Sequence, residues 1–104
     1  MKNKKILYKK KFKKPYFSII TVVKDDEKNI CKTIRSIKFQ KFKNYEYIII
    51  DGFSKDKTVQ NILKYKRDIN LLISEKDKGI YYAMNKGARI ASGKIIFLLT
   101  LEIN

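Results

Sequence analysis

Acidic side chains follow the predicted strands of this chain, at the points where each strand ends. Because the carboxyl ends of parallel strands meet at one edge of a sheet, where open α/β folds bind ligands, these acids are expected to share that edge. Carboxylates there can hold a ribose, a base edge or a divalent cation, and their hard oxygens suit Mg²⁺ or Mn²⁺. Seven of the ten acids belong to this set: Asp25, Asp26, Asp51, Asp56, Glu75, Asp77 and Glu102.

Helix capping is the alternative explanation of these acids. A loop that follows a strand usually begins a helix, and Asp is favoured at helix N-termini. Capping accounts well for Asp25, Asp26 and Asp56, and it extends less securely to Asp77. It accounts less well for Asp51, Glu75 and Glu102, so the spacing alone leaves a cap and a binding site both open.

Asp51 follows the run that is most typical of a central strand. Tyr47–Ile50 is an uninterrupted aromatic and β-branched run, as expected for a strand covered on both faces. The run ends at the turn-forming pair Asp51-Gly52, and Ser54 and Asp56 are suited to capping a following helix. Asp51 is therefore predicted at the carboxyl end of a buried strand.

The chain alternates predicted strands and helices after Pro15. This alternation predicts an α/β fold with a three-layer, Rossmann-like parallel sheet, in which the third strand lies beside the second, the second beside the first and the first beside the fourth. Gly93 is expected to cap the last helix. The predicted strands are Tyr16–Val23, Tyr47–Ile50, Ile69–Ile73 and Lys94–Leu99, and the predicted helices are Asp26–Phe39, Lys57–Lys66 and Ile80–Ala91.

Positive charge is concentrated at the start of the chain. The 104 residues carry a formal net charge of +15, and eight of the 25 basic residues fall within residues 1–14, which contain no acid. Residues 1–14 are predicted as a basic N-terminal arm ahead of one domain, residues 15–104. A solvated arm is favoured because like charges repel. An arm attracted to anionic lipid or RNA, and an ordered segment held by Ile6, Leu7, Tyr8 and Phe12, are the alternatives.

The composition excludes several kinds of site. Cys31 is the single cysteine and there is no histidine, so an internal disulfide, a cysteine-based zinc site and Ser-His or Cys-His catalysis are excluded. No GxGxxG follows the first strand and no GxxxxGK[ST] is present, so neither a dinucleotide fold nor a P-loop is indicated. No apolar run approaches the length of a membrane span, and a cytoplasmic location, peripheral at the inner face of the membrane through the basic arm, is expected.

Three segments in order resemble the family 2 glycosyltransferases of the GT-A nucleotide-sugar-binding fold. They are FSIITVVKDDEKNICKTIRSI, YEYIIIDGFSKDKT and ISEKDKGIYYAMNKGARIASGKIIFLL, which together cover about residues 16–99. Their motifs are Thr-Val-Val after the first strand, Asp-Gly-x-Ser-x-Asp-x-Thr after the second and Asp-Lys-Gly-Ile-Tyr-x-Ala-Met-Asn-Lys-Gly into the last helix. The resemblance implies an inverting glycosyltransferase whose sheet is truncated after the fourth strand, so that only the N-terminal half is present.

The resemblance also implies site residues. Thr21 and Val23 would line the pocket for the nucleotide base, and Asp51 would bind the base or ribose of a UDP-type donor. Asp77, Lys78 and Gly79 would lie along the nucleotide-sugar. The acceptor would be a glycan or a lipid-linked glycan, and the catalytic base would belong to the acceptor-binding half.

Two positions depart from the family pattern. Where the family carries paired acidic metal ligands after the fourth strand, this chain offers Glu102, and Ile103 stands where a second carboxylate is common. The implied Mg²⁺ or Mn²⁺ site is therefore incomplete. Tyr82 also replaces a residue that is frequently acidic in the family.

Three functions are compatible with these features. The first is the donor-binding half of a sugar transferase. The second is a small basic α/β module that binds RNA or anionic surfaces, where phosphate contacts dominate affinity. The third is an interaction protein completed by forming an oligomer or by docking a separate second half. The order of the motifs favours the first function, and the net charge alone favours the second.

Overall fold

The computed structural model of the protein describes residues 6–11, 14–41, 43–76 and 78–101. Its strands are β1 (Ile6–Lys9), β2 (Phe17–Val23), β3 (Tyr45–Asp51), β4 (Leu71–Ser74) and β5 (Ile95–Leu101). Its helices are α1 (Ile30–Lys38), α2 (Thr58–Leu63) and α3 (Ile80–Ile90), with a 3₁₀ turn at Lys66–Asp68.

The strands form one mixed sheet in the order β1-β4-β3-β2-β5. The strands β2 to β5 are mutually parallel, and β1 is antiparallel to β4. The predicted order of the four parallel strands is therefore confirmed. The direction of winding reverses between β2 and β5, which is the topological arrangement that places ligands at the carboxyl edge.

Helices cover both faces of the sheet, which confirms the three-layer architecture. Alternate residues of a strand point to opposite faces, so each central strand supplies two cores. On one face Ile34 of α1 and Ile62 of α2 pack with Ile49. On the other face Ala83 of α3 packs with Ile48 and Ile50.

The strand β3 is the centre of both cores, as the sequence predicts. Tyr47 and Ile49 face α1 and α2, Ile48 and Ile50 face α3, and none of the four side chains exceeds 1% exposure. A strand covered on both faces needs apolar side chains at odd and even positions alike. That requirement explains the uninterrupted run before Asp51.

The expectation of a solvated N-terminal arm is wrong for Ile6–Lys9, which form the fifth strand of the sheet. The backbone of β1 pairs with the edge of β4, and Tyr8 packs against the α1 and α2 core. The repulsion between lysines is overcome because an edge strand offers unpaired N–H and C=O groups to a neighbouring segment. The division between residues 1–14 and 15–104 stays a prediction.

Gly93 does not cap α3, contrary to expectation. The helix ends at Ile90, and Ala91 takes an extended backbone as its cap. Gly93 instead lies against β2, where an added Cβ would stand 2.6 Å from the carbonyl carbon of Phe17 and 2.7 Å from Ser18 Oγ. A side chain is excluded there because the backbone of the neighbouring strand occupies the space.

The last strand is an apolar edge. Every side chain from Ile95 to Leu99 is between 40% and 45% exposed, although all five are large and hydrophobic. Among the described residues no strand pairs with the outer side of β5, and such an edge favours association with another strand. On its other side β5 pairs with β2, where the ring centre of Phe17 lies 5.7 Å from that of Phe97.

Candidate functional site

Three adjacent strands end together at the carboxyl edge of the sheet. Val23 is in register with Asp51, and Asp51 is in register with Ser74. The pairing continues one residue further, because Gly52 N–H donates to the Val23 carbonyl (2.9 Å) and Glu75 N–H donates to the Asp51 carbonyl (3.0 Å). The loops that follow β2, β3 and β4 therefore leave the sheet from one ordered platform.

Asp51 is the buried centre of this platform. Its side chain is fully buried, and Ser54 donates to it twice, from the backbone N–H at 2.9 Å and from Oγ at 2.5 Å. Ser74 Oγ donates a third hydrogen bond at 2.8 Å. A buried carboxylate is stable only with such donors. Asp51 thus closes the turn after β3 and ties it to β4, and a ligand that reaches this carboxylate has to replace a serine donor.

The loops after β2 and β3 are fastened to each other. Asp25 N–H donates to Ser54 Oγ (2.8 Å), and Lys55 N–H donates to Asp25 Oδ1 (2.7 Å). Lys57 N–H donates to Glu27 Oε1 at 2.8 Å. Asp25 and Phe53 both have positive φ, 49° and 63°, in the left-handed region that side chains disfavour. The cross-loop hydrogen bonds hold this strained backbone in place.

The acids in these loops accept hydrogen bonds from loop and first-turn groups, but none of them is the N-cap residue of α1 or α2. Asp25 and Asp26 do not cap α1, whose N-cap is Asn29 and whose first turn has no acid. Asp26 instead receives a hydrogen bond from the Asn29 side chain at 3.0 Å. Asp56 does not occupy the cap position of α2 either, because Lys57 is the N-cap and has no side-chain cap hydrogen bond. Asp56 lies one residue earlier, and its Oδ1 accepts the Thr58 N–H at 2.9 Å. The cross-links had no signal in the sequence.

The hydrogen bonds around Asp56 also change its acidity. Partial burial raises the pKa of this carboxyl, but donors from Thr58 and from the Glu27 N–H outweigh burial and lower the pKa below its ordinary value. Asp56 therefore stays ionised in the folded protein under more acidic conditions than a free carboxyl would.

Thr21 and Val23 lie in the core beneath α1 and α2. The Thr21 hydroxyl is fully buried and is 2.7 Å from the Tyr47 hydroxyl, and burial raises the pKa of Tyr47. Val23 packs with Ile30 of α1 and is 1% exposed. The structure brings Val23 beside Asp51 but gives neither predicted base-pocket residue an exposed surface. Their role in binding a nucleotide stays a prediction.

Lys78 and Gly79 are exposed at the same edge of the sheet. Gly79 is the N-cap of α3, with a φ of 136° that glycine adopts without strain. The positive end of the α3 dipole therefore faces the loop after β4. Asp77 and Glu102, the two other predicted site acids, lie outside the described residues.

Sequence analysis missed an ion pair that joins the loop after β4 to α3. Lys86 Nζ lies 2.7 Å from Glu75 Oε2, and the two side chains are 10% and 17% exposed. Glu75 Oε1 is buried and finds no hydrogen-bond partner among the described residues. Lys86 follows the buried Ala83 by three positions, so its place on the apolar stripe of α3 was the available signal.

Positive and aromatic side chains surround this platform. Lys24, Lys55, Lys76 and Lys78 are exposed in the loops that leave the carboxyl edge, and Phe53 is half-exposed beside them. The aliphatic part of the Lys24 side chain lies beside Gly52. A Cβ added to Gly52 would be in van der Waals contact with Lys24 Cδ, at 3.5 Å. The edge therefore presents cations that suit phosphates around a buried carboxylate.

Metal ligands do not converge within the part of the chain that the structure describes. There, no group of three or more acidic, cysteine or histidine side chains is arranged to hold a metal ion. The described residues alone therefore do not fit a metal centre. None of the helices within residues 6–11, 14–41, 43–76 and 78–101 is long and apolar enough to cross a membrane.

Comparison with known sequences identifies related proteins. Residues 18–100 match the protein family described as Glycosyl transferase family 2. An uncharacterized glycosyltransferase of Mycobacterium tuberculosis is 34% identical over 86 residues, which cover 82% of this chain and 33% of that protein. Glycosyltransferase AglE of Haloferax volcanii is 28% identical over 90 residues, which cover 82% of this chain and 30% of AglE. The chain thus spans about a third of the length of these curated relatives.

Comparison with solved structures gives the same fold. Residues 1–349 of S. aureus TarS superpose with a TM-score of 0.71 at 26% identity, covering 81% of this chain and 26% of that one. The mannosyltransferase PcManGT from Pyrobaculum calidifontis, solved with GDP-Man and Mn²⁺, superposes with a TM-score of 0.71 at 23% identity. That superposition covers 80% of this chain and 26% of PcManGT. The five-stranded sheet with its helices is therefore of the GT-A type.

Proposed function

The chain belongs to glycosyl transferase family 2, and on that premise we propose that it binds the nucleoside diphosphate part of a sugar donor at the carboxyl edge of its sheet. In the proposed reaction the donor bound at this edge transfers its sugar to a glycan or lipid-linked acceptor. No residue of the chain is assigned as the catalytic base.

The observation that carries the proposal is the arrangement around Asp51. Asp51 lies within the segment that matches the family, at the end of the most buried strand, and holds the loop between Gly52 and Lys55 through Ser54. A fixed loop at the carboxyl edge presents preformed backbone groups and the Phe53 ring to a nucleoside. The hydrogen bonds between the loops after β2 and β3 support the same function because they prevent this loop from rearranging freely.

Phosphates are proposed to lie on the cationic side of the platform. Lys76 and Lys78 follow β4, and the positive end of α3 begins at Gly79. A helix N-terminus and exposed lysines both favour a diphosphate group. Asp77, between the two lysines, is proposed to contact the same donor.

We propose UDP as the nucleotide. A carboxylate accepts hydrogen bonds from the N3–H of uracil or from ribose hydroxyls, which suits Asp51 once a serine donor is displaced. A structure of S. aureus TarS contains UDP, whereas the PcManGT structure contains GDP-Man and Mn²⁺. The choice between uracil and guanine is therefore part of the test. Glu102 stays the proposed metal ligand, and no step is routed through a metal.

Titration calorimetry with UDP and GDP tests this proposal. Asp51→Asn keeps the size of the side chain but removes the charge, so UDP affinity should fall roughly ten- to a hundredfold if a hydrogen bond to the carboxylate is lost. Asp68→Asn is the matched control, because Asp68 lies in the 3₁₀ turn at the opposite edge and pairs with Lys38 at 3.7 Å. The control should bind UDP like the unmodified protein.

Thermal unfolding of each variant separates lost binding from lost folding. Weaker UDP binding by an Asp51→Asn protein that unfolds near the temperature of the unmodified chain supports the proposal. No UDP or GDP binding at millimolar concentration by the folded, unmodified chain contradicts it. Equal losses in the Asp51 and Asp68 variants contradict the assignment of the site to the carboxyl edge.

A further inference from the structure

A positively charged groove lies at the amino edge of the sheet, opposite the carboxyl edge where the nucleotide is proposed to bind. Its volume is about 420 Å³. Five cations line it, Lys10, Lys11, Lys38, Lys43 and Arg67, together with the ring of Phe39. Asp68 is the one acid among the described lining residues, and it already pairs with Lys38 at 3.7 Å. The described residues that line this groove therefore carry a net charge of +4.

The groove is assembled from three separate segments of the chain. The strand β1 brings its end to β4, where Lys10 N–H donates to the Asn70 carbonyl at 2.7 Å. Lys10 Nζ then donates to the Arg67 carbonyl at 2.6 Å, and Lys43 Nζ donates to the Lys38 carbonyl at 2.9 Å. These contacts hold like charges together at one edge although the charges repel.

The contribution of β1 sets this groove apart from the matched family segment. Residues 18–100 match the family, whereas Lys10 and Lys11 precede that segment. The pairing of β1 with β4 is what places these two lysines beside Arg67. The strand β1 therefore extends the sheet and also completes the cationic groove.

Phe39 adds an apolar side chain to this surface. It is 73% exposed, and Lys38 Nζ lies 5.8 Å from the centre of its ring. Lys41 is exposed in the same loop. An exposed aromatic ring surrounded by lysines is typical of segments that lie in the interface of an anionic membrane, where the ring enters the headgroup layer and the cations meet lipid phosphates.

We propose that the amino edge binds the negatively charged surface of a phospholipid membrane through this groove and Phe39. Charge complementarity favours an anionic partner, and the single highly exposed ring among the described lining residues favours a membrane over RNA. Binding to single-stranded RNA normally uses several aromatic platforms along a track. Tyr45, the second aromatic residue of the lining, is half-buried, and its hydroxyl donates to the Ile37 carbonyl at 3.1 Å.

This orientation leaves the carboxyl edge accessible. The two edges lie at opposite ends of β3, whose seven residues separate them by about 20 Å at roughly 3.3 Å per residue. A chain bound to the membrane by its amino edge therefore presents the platform around Asp51 away from the lipid. The proposal does not depend on nucleotide binding.

Co-sedimentation with lipid vesicles tests the proposal on the full chain. Vesicles of phosphatidylcholine alone are compared with vesicles that also contain phosphatidylglycerol, and the unmodified chain should sediment with the second kind only. The variant Lys11→Glu/Arg67→Glu should lower partitioning by at least roughly thirtyfold, because two lost contacts with an anionic surface give that factor and the introduced carboxylates add repulsion. Phe39→Ser should also lower partitioning, without any change of charge.

The net charge of the chain requires a matched control. Lys28→Glu/Lys32→Glu changes the charge by the same amount at exposed positions near the other end of α1, and its partitioning should fall only a few-fold. Equal losses in the two double variants would overturn the proposal, because net charge would then explain the binding. Circular dichroism checks that each variant is folded. If Lys11→Glu/Arg67→Glu does not fold, the loss of vesicle binding by Phe39→Ser tests the proposal instead.

A short single-stranded RNA, titrated in parallel, distinguishes the other anionic partner. The proposal predicts that the groove variants affect vesicle binding and that RNA does not compete with vesicles at equal phosphate concentration. RNA binding that depends on Lys11 and Arg67, with no sedimentation on phosphatidylglycerol vesicles, would overturn the membrane assignment.

Discussion

Neutralising Lys86 should destabilise the protein through Glu75. Removing one partner of a fully buried ion pair costs about 3–5 kcal/mol, because an unpaired charge is left behind. Here the side chains are 10% and 17% exposed, so water screens part of the remaining charge and Lys86→Met is expected to cost about 2–3 kcal/mol. Glu75 Oε1 already lacks a hydrogen-bond partner among the described residues, which leaves the carboxylate poorly compensated.

A double-mutant cycle measures this coupling. Lys86→Met, Glu75→Gln and the double variant are unfolded with urea, and the free energy of unfolding is followed by circular dichroism. The double variant should lose less stability than the sum of the two single losses, by more than about 1 kcal/mol, since it removes both charges together. Additivity within about 0.5 kcal/mol would refute the argument that the pair acts as a unit.

Three other changes test the packing, the electrostatics and the exposed edge. Gly93→Ala should cost about 1–3 kcal/mol in thermal unfolding, because its Cβ would meet the backbone of Phe17 and Ser18. Gly87→Ala should cost less, because alanine favours the helix by about 1 kcal/mol and this gain offsets part of the clash between its Cβ and Cγ2 of the buried Ile20; the reverse ranking would contradict this account of the two glycines. The lowered pKa of Asp56 means that its stabilisation is complete above the ordinary carboxyl pKa and is lost as the pH falls through the lower folded pKa, below about pH 4. Asp56→Asn should therefore reduce the dependence of the unfolding temperature on pH in that acidic range, and an unchanged profile would count against the hydrogen bonds from Thr58. The apolar β5 edge should make the chain associate at high concentration, and sedimentation of a clean monomer there would contradict that expectation.

The parallel part of the fold was predictable because burial leaves a direct pattern in the sequence. The run Tyr47–Ile50 has to be apolar at every position when helices cover both faces, and the small residues of α3 have to recur at helical spacing when that helix lies close to the sheet. Gly87 shows this closeness, since an added Cβ would stand 2.7 Å from Ile20 Cγ2.

Other parts of the fold depend on contacts between segments that are distant in sequence. The place of β1 beside β4 is fixed by backbone pairing, which lysine-rich composition does not reveal. The function of Gly93 is fixed by its approach to β2 and not by the end of α3. Both features follow from tertiary packing. Local patterns therefore predicted a helix cap at Gly93, which instead packs against β2, and a solvated arm at Ile6–Lys9, which instead form a strand.

The candidate site was predictable as an edge but not as a set of contacts. The position of Asp51 at the end of a buried strand follows from its sequence neighbours. Its burial under Ser54 and Ser74 does not, because Ser74 lies 23 positions away in the chain. The pair of Glu75 and Lys86 was missed for the same reason, since it forms between a loop and a helix.

The most direct test of the account is to map where a nucleotide binds. Backbone amide signals of the isotope-labelled chain are recorded by NMR during titration with UDP. The account predicts shifts in the loops after β2, β3 and β4, at Lys24, Gly52, Ser54 and Gly79, with no comparable shifts at Phe39 or Arg67 of the amino edge. Shifts confined to the amino edge, or none at millimolar UDP, would contradict the assignment of nucleotide binding to the platform around Asp51.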